Sequence, residues 1–198
     1  MRLIHLIFIC ALFAMVSCNN SQTTSNTGKT DSTGKQSVTS TVPVQSKLND
    51  AGTQLLMATV KKYYALKNSL VATKGDLADS AATQLAIATD SLKAFLLRDS
   101  ANMTATKPFI DTVIAQSNLL AIIKDESCER QRLLFGAISS AMFGVLKNVD
   151  LKHGGIYREY CPMAFNEKGA YWLSDETEIK NPYFGKKMME CGEVTDTL

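Results

Sequence analysis

The chain has 198 residues, of which 45% are hydrophobic and 20% are charged, and its formal net charge is only +2. These values suit one globular domain with appended segments, and they give no reason to expect a nucleic-acid partner. The sequence contains no G-x-S-x-G, P-loop or dinucleotide-binding motif, and only one histidine, His153, lies outside the predicted export signal and could act as a general base. We therefore expect a protein that is not an enzyme.

The first 17 residues have the layout of an export signal. A basic residue precedes an apolar run from residue 3 to 16, which is too short to span a bilayer, and Ser17 lies directly before Cys18. The stretch FAMVSCNN resembles the lipobox of bacterial lipoproteins, which are cut before a cysteine that then carries the lipid. The resemblance implies lipidation of Cys18 and, through Asn19, anchoring in the outer membrane on its periplasmic side. An ordinary signal cleaved nearby is the alternative.

A polar segment follows the predicted lipidated cysteine. Residues 18–45 are dominated by Ser, Thr, Asn, Gln, Gly and Lys. Such a composition buries too little apolar surface to offset the entropy lost on ordering, so we predict a disordered tether. Its root-mean-square reach would be about 30 Å. The folded domain is then expected to occupy residues 46–198.

Four amphipathic helices are predicted between residues 46 and 150, where apolar side chains recur at three-and-four spacing. We expect the first helix to end at Gly75 and the second to begin at Asp76. Pro108 should lie in the first turn of the third helix, and Ser127 should cap the fourth. The short turns make neighbouring helices antiparallel. The predicted fold class is therefore all-α, an up-down-up-down four-helix bundle.

The pattern changes after the bundle to short extended pieces. GIYREYC and AYWLS, joined by the loop NEKG, predict a β-hairpin. KKMME predicts one helical turn before the final Cys-Gly pair. We therefore expect a small irregular C-terminal appendix, made of a short β-hairpin and loops, whose aromatic residues pack it onto the bundle.

Two pairs of sulfur-containing side chains lie in this appendix. Cys161 and Met163 are two apart in a stretch predicted to be extended, and Met188 and Cys191 are three apart in a predicted helical turn. Each pair should therefore share one face. Two thiolates and two thioethers at one point would suit Cu(I) and, less specifically, zinc or silver. His153, the only histidine after the predicted signal, could supply a nitrogen ligand.

A disulfide between Cys161 and Cys191 is the competing interpretation. In an oxidising compartment it would close a loop of about thirty residues and contribute about 3 to 4 kcal/mol. Met163 and Met188 would then fill the core, which is the commonest role of methionine. The protein would in that case be a structural or protein-interaction module without a metal. The spacing alone leaves both interpretations open and slightly favours the disulfide.

Two stretches resemble an uncharacterised family of periplasmic lipoprotein domains. They are KKYYALKNSLVATKGDLADSAA and YREYCPMAFNEKGAYWLSDETEIKNPYFGKKMMECG, and the similarity covers about residues 55–194. This family also occurs fused to the adaptor subunits of heavy-metal efflux pumps of the copper and silver class. The resemblance implies metal handling, with a heavy-metal efflux adaptor or another envelope protein as partner.

The motifs of this family fall on particular residues of the chain. Its CPM motif corresponds to Cys161 and Met163, and its closing M-x-x-CG corresponds to Met188 and Cys191. Some members place a histidine directly before the first cysteine, where this chain has Tyr160. The resemblance therefore favours metal binding over the purely structural disulfide, and it leaves a nitrogen ligand to His153.

Overall fold

The structure is a computed structural model, and we describe residues 42–198. The predicted signal peptide at 1–17, the predicted lipidation site Cys18 and most of the predicted tether lie outside these residues. Gln45, the last tether residue, forms an antiparallel bridge with Lys152, with N···O distances of 3.0 and 2.9 Å. The end of the predicted tether is therefore hydrogen-bonded to the folded domain.

Four long helices follow one another along the chain, which confirms the predicted all-α bundle. They are Asp50–Val71 (α1), Gly75–Leu96 (α2), Ser100–Ile122 (α3) and Glu129–Asn148 (α4). Each helix packs against the next, as short connections require. The core is made of fully buried side chains from all four helices, among them Leu56, Leu85, Ile110 and Phe135. None of the helices within residues 42–198 combines the length and apolarity needed to cross a membrane.

The turn between α1 and α2 differs from the prediction. Gly75 does not end the first helix, because α1 ends at Val71 and Gly75 is the first residue of α2. Glycine is required there by close packing, since a Cβ atom on Gly75 would lie 2.2 Å from the carbonyl oxygen of Asp125. The predicted cap Asp76 is therefore inside the first turn of α2, where its negative charge still suits the helix dipole.

The starts of α3 and α4 also lie elsewhere than predicted. Pro108 is inside α3, which begins at Ser100 because the Asp99 carboxylate accepts a hydrogen bond from the Asn102 N–H at 3.2 Å. At the start of α4, the Ser127 hydroxyl accepts only a long bond of 3.4 Å from the first helical N–H. The carboxylate of Asp125 accepts the next one at 2.8 Å. The N-cap residue is Cys128, which makes no side-chain cap bond, so the prediction that Ser127 caps α4 was wrong, although Ser127 and Asp125 accept from the first two helical N–H groups.

The appendix contains a three-stranded antiparallel sheet. Its strands are Tyr157–Cys161 (β1), Ala170–Ser174 (β2) and Glu193–Thr197 (β3), and a 3-10 turn spans Gly185–Lys187. The spatial order is β2-β1-β3, so β1 is central. The β1–β2 pair confirms the predicted hairpin. The third strand was not predicted, because EVTDT is mostly exposed and lacks apolar alternation.

The hairpin connection is a left-handed turn within Ala164–Glu167 (α5). Phe165, Asn166 and Glu167 all have positive φ angles, of 55°, 58° and 65°. Non-glycine residues in this region cost about 1 to 2 kcal/mol each, so the turn needs support. The Phe165 ring occupies a notch over Gly136 of α4, where a Cβ atom would lie 2.9 Å from the ring. This contact fixes the tip of the hairpin to the bundle.

The sheet packs between α1 and α4 through buried polar and aromatic groups. The Tyr63 hydroxyl accepts a hydrogen bond from the Leu173 N–H at 3.1 Å and is bonded to the Ser139 hydroxyl at 2.7 Å. The Tyr63 ring stacks on Phe135 at 5.3 Å, and Phe135 in turn packs against Tyr183 at 5.8 Å. The expectation that aromatic residues pack the appendix onto the bundle is confirmed for Tyr183.

Candidate functional site

The two cysteines of the predicted site meet in the structure. Cys161, at the end of β1, and Cys191, two residues before β3, form a disulfide with a Cα–Cα distance of 5.7 Å. Cys161 is fully buried and Cys191 is half-buried. Of the two interpretations that the sequence left open, the structure contains the disulfide. Both the disulfide and the metal site require the segments that carry Cys161 and Cys191 to lie side by side.

Met163 does not share an extended segment with Cys161, contrary to our prediction. β1 ends at Cys161 and the chain turns at Pro162 and Met163, because proline lacks the N–H that a continuing strand would need. The side chain of Met163 is 43% exposed. It therefore lies at the surface on the turn that leaves the disulfide.

Met188 lies at a second turn beside the disulfide. The 3-10 turn ends at Lys187, one residue earlier, and the Cys191 N–H donates to the Met188 carbonyl oxygen at 3.2 Å. Met188 is 37% exposed. The disulfide interpretation had placed Met163 and Met188 in the core. Neither side chain lies there. Both are surface thioethers on the two segments that the disulfide joins.

His153 lies at the other end of the sheet. It lines a surface cavity with Leu151 and Leu198, and the Leu198 carbonyl oxygen accepts from the Ile156 N–H at the start of β1. Cys161 closes the far end of β1, about 13 Å along the strand from its first residue. The structure therefore does not bring His153 to the cysteines. Within residues 42–198, no three His, Cys, Asp or Glu side chains are grouped so as to hold a metal ion.

Asn181 is a buried polar residue that the sequence analysis missed. Its amide nitrogen Nδ2 donates to the Cys191 carbonyl oxygen at 2.7 Å. Its oxygen Oδ1 accepts from the N–H groups of Tyr183 at 2.8 Å and Phe184 at 3.2 Å. Its backbone N–H donates to the Met189 carbonyl oxygen at 2.8 Å. Asparagine before proline in NPYFG was the signal available in the sequence, because asparagine side chains often bond to the backbone of the turn that they begin.

The same turn is bound to the bundle by Arg132, a second residue that the sequence analysis missed. Its Nε donates to the Pro182 carbonyl oxygen at 2.9 Å, and one Nη donates to the Leu70 carbonyl oxygen at the end of α1 at 3.0 Å. Arg132 is almost fully buried. A cation at a helix C-terminus is favourable, so this guanidinium connects α1, α4 and the NPYFG turn.

The only tryptophan of the chain packs against Gly192, the residue after Cys191. Trp172 is fully buried, and its ring lies so close to Gly192 that a Cβ atom there would be 2.7 Å from it. Gly192 directly follows Cys191 and has a φ of 150°, which favours glycine. Packing against the indole ring therefore fixes the backbone directly after Cys191.

A pair of buried charged residues lies between the sheet and α1. Glu159 is fully buried next to Trp172 in the sheet register, and neither of its carboxylate oxygens has a hydrogen-bond partner within the described part of the chain. Burial raises the pKa of Glu159 to about 7, against the opposing attraction of Lys67.

The buried Lys67 ammonium donates to the Ser174 hydroxyl at 3.1 Å and lies 3.6 Å from Asp175. The position of Lys67 four residues after Tyr63, on the buried stripe of α1, was the signal available in the sequence.

Comparison with known proteins gives one match. No curated protein and no solved structure matches the chain. Residues 59–154, from within α1 to the loop after α4, match the model of a family described as "Protein of unknown function (DUF3347)". The match ends before β1 and therefore does not include the disulfide. It supports a domain of unknown function in the helical part of the chain.

Proposed function

We propose that this chain is a lipid-anchored protein of the cell envelope that binds a soft metal ion, with Cu(I) favoured over zinc or silver. The ligands would be the thiolates of Cys161 and Cys191 and the thioethers of Met163 and Met188. The observation that supports this most directly is the bond between Cys161 and Cys191. It means that two soft sulfur atoms thirty residues apart in sequence meet at one point.

The metal-binding form requires reduction of this disulfide. A dithiol of the envelope would transfer two electrons and two protons to Cys161 and Cys191, becoming a disulfide itself, by thiol–disulfide exchange. Both thiols would then lose their protons as a metal ion binds, because the thiolate is the ligand. Exchange with a disulfide of the envelope, which would itself be reduced to a dithiol, would re-form the Cys161–Cys191 bond and release the ion, so the site would be open only under reducing conditions.

The two methionines suit a supporting role at such a site. Each is more than a third exposed, and each lies within three residues of a disulfide cysteine. Methionine is unbranched with three rotatable bonds, so its sulfur can move toward a bound ion without displacing the backbone. His153 is not a ligand in this proposal, since it lies at the opposite end of β1.

The proposed setting follows from the resemblances of the sequence. Lipidation at Cys18 would hold the protein on the periplasmic side of the outer membrane, and the protein would sequester the ion or deliver it to an efflux system. A heavy-metal efflux adaptor or another envelope protein would be its partner. No catalytic step is proposed.

A second candidate is a protein-interaction module without a metal. The observations that favour it are the formed disulfide and the lack, within residues 42–198, of a grouped set of three His, Cys, Asp or Glu side chains. The disulfide would then act as a permanent brace. The exposed Met163 and Met188 would be apolar contacts for a partner protein.

A Cu(I) titration distinguishes the two candidates. The reduced, full-length chain in detergent is titrated anaerobically in competition with bicinchoninate, a coloured Cu(I) chelator. We expect the reduced chain to withdraw Cu(I) from the chelator and the oxidised chain not to do so. Cys161→Ser should abolish this competition, and Met163→Leu or Met188→Leu should weaken binding by roughly tenfold or more. Met103→Leu, a half-buried methionine of α3, is the matched control and should bind like the parent.

Two results would overturn the metal proposal. One is a reduced parent chain that leaves all Cu(I) on the chelator. The other is Cys161→Ser, Met163→Leu and Met188→Leu variants that all bind as tightly as the parent. A disulfide that reductant opens only after the chain is unfolded in denaturant would further support the brace.

A further inference from the structure

We infer that Asn181 is the positioning residue of the sulfur site, because its buried carboxamide fixes the segment 188–191 where Cys191 faces Cys161. The side chain is fully buried, and it bonds both to this segment and to the turn that follows it in NPYFG. The metal part of this inference rests on the proposed function. The thiol part does not, because the two cysteines meet whether or not they bind a metal.

Only a side-chain amide can make all three side-chain hydrogen bonds of Asn181. Oδ1 accepts from two backbone N–H groups, those of Tyr183 and Phe184, while Nδ2 donates to the Cys191 carbonyl oxygen. An aspartate could accept the same two bonds, but it has no proton for the third and would face a carbonyl oxygen instead. A serine hydroxyl is too short to reach all three groups. Only the bond to Cys191 is lost in Asn181→Asp.

The turn that carries Asn181 is held by the bundle and not by the disulfide. Arg132 of α4 bonds the Pro182 carbonyl oxygen and also the end of α1, so residue 181 is fixed relative to two long helices. On the other side, Gly192 fits against the Trp172 ring and the Tyr160 carbonyl oxygen. The backbone of Cys191 is therefore held between a fixed amide and a fixed indole ring.

This arrangement should persist after the disulfide is reduced. None of the five hydrogen bonds of Asn181 involves a sulfur atom. The two thiols would therefore stay close, and their effective concentration would remain high. A high effective concentration favours both re-formation of the disulfide and capture of one metal ion by both thiolates.

The first readout is the equilibrium between the disulfide and a dithiothreitol redox buffer, measured on the full-length chain. We expect Asn181→Asp to shift this equilibrium toward the reduced form by about tenfold under native conditions, since one buried hydrogen bond is lost. The shift should vanish in concentrated guanidinium, where no fold positions the thiols. Asn148→Asp is the matched control, because its amide nitrogen also donates to a backbone carbonyl, that of Gly144 at 2.8 Å, but within α4. It should leave the thiol equilibrium unchanged.

The second readout is Cu(I) affinity of the reduced chain, again against bicinchoninate. Asn181→Asp should weaken it by about tenfold while the helical circular dichroism remains that of the parent. If the parent binds no Cu(I) but the thiol equilibrium of the variant shifts, the proposed function fails and the positioning role stands. If the parent binds Cu(I) and the variant equals it in both readouts, the positioning role is wrong and the proposed function stands.

A second variant covers the case in which Asn181→Asp does not fold. Asn181→Gln keeps the donor and the acceptors but displaces them by one methylene group. It should shift the thiol equilibrium in the same direction and by less than Asn181→Asp would. An Asn181→Gln chain whose equilibrium matches that of the parent would overturn the inference.

Discussion

The helical bundle at 50–148 and the appendix at 157–197 are held together by different kinds of contact. The bundle rests on an apolar core in which many side chains each contribute a small part, as helices with three-and-four spacing require. The appendix contributes Trp172 and Tyr183 to the same core, but it also depends on one disulfide, one buried amide and a left-handed turn. Because the appendix depends on a few individual contacts, a single substitution there should destabilise it locally and strongly.

The junction between the two regions explains how so small a sheet is kept in place. Tyr63 of α1 bonds both to the sheet at Leu173 and to Ser139 of α4. Arg132 bonds the NPYFG turn to the ends of two helices. The bundle therefore serves as a rigid support on which the sulfur site is built, which is how precise sites are usually positioned.

The largest effect should come from opening the disulfide. In the chain-entropy account, a bond that closes a loop across a sequence separation of 30 residues stabilises the folded protein by about 3 to 4 kcal/mol. We expect the free energy of unfolding in urea to fall by about this amount on addition of reductant. The loss should concentrate in the appendix, so hydrogen exchange at β3 should speed up while the helical circular dichroism changes little.

The Cys161→Ser/Cys191→Ser double variant sharpens this test. It should match the reduced parent in stability and should not respond to reductant. Equal losses of exchange protection in the four helices and in β3 would contradict the division into a self-sufficient bundle and a dependent appendix.

A somewhat smaller effect should come from the buried carboxyl of Glu159. In the unfolded chain it ionises near its ordinary pKa of 4.5, whereas burial raises its pKa in the folded protein to about 7. Below pH 4.5 both states hold the proton, and between pH 4.5 and 7 only the folded state does. The free energy of unfolding should therefore fall as pH rises through this window, by about 3 kcal/mol in total, and level off above about pH 7.

Glu159→Gln should remove this pH dependence, because an amide cannot ionise. The variant should be more stable than the parent at about pH 8 and similar to it at about pH 4.5, as measured by urea unfolding of the oxidised protein. Glu193→Gln, an exposed glutamate of β3, is the control and should keep the pH dependence of the parent. A parent chain whose stability rises between about pH 5 and 7 by an amount that Glu159→Gln abolishes would contradict the sign of this prediction.

The same contrast explains how much of the fold could be predicted. The four helices follow from a periodic apolar pattern in which every third or fourth residue carries information, so errors at Gly75 or Pro108 moved the boundaries and left the bundle intact. The β1–β2 hairpin followed from alternation and a polar loop. The left-handed turn at 165–167 could not be predicted, because its residues carry no glycine signal and the turn is fixed by contact of Phe165 with α4.

The candidate site was predictable only in part, for a related reason. Spacing identified Cys161 and Cys191 as partners, and the structure joins them. Spacing did not distinguish a disulfide from a metal site, since both need the same proximity. It also gave no sign of Asn181, whose role depends on three backbone groups that meet only in the folded chain.

The smallest effect tests the bundle alone. The Asn49 side chain accepts a hydrogen bond from the Gly52 N–H at 2.9 Å and so caps α1. Asn49→Ala should lower the free energy of unfolding by about 1 kcal/mol, because one N–H at the helix start loses its partner. Asn49→Asp keeps an acceptor and adds a charge that suits the helix dipole, so it should be as stable as the parent. Neither change should alter the equilibrium of Cys161 and Cys191 with dithiothreitol, since α1 remains in place and the bond from Asn181 is untouched. A shift in that equilibrium with Asn49→Ala would mean that the sulfur site depends on fraying at the start of α1, and the appendix would then be less independent of the bundle than its contacts indicate.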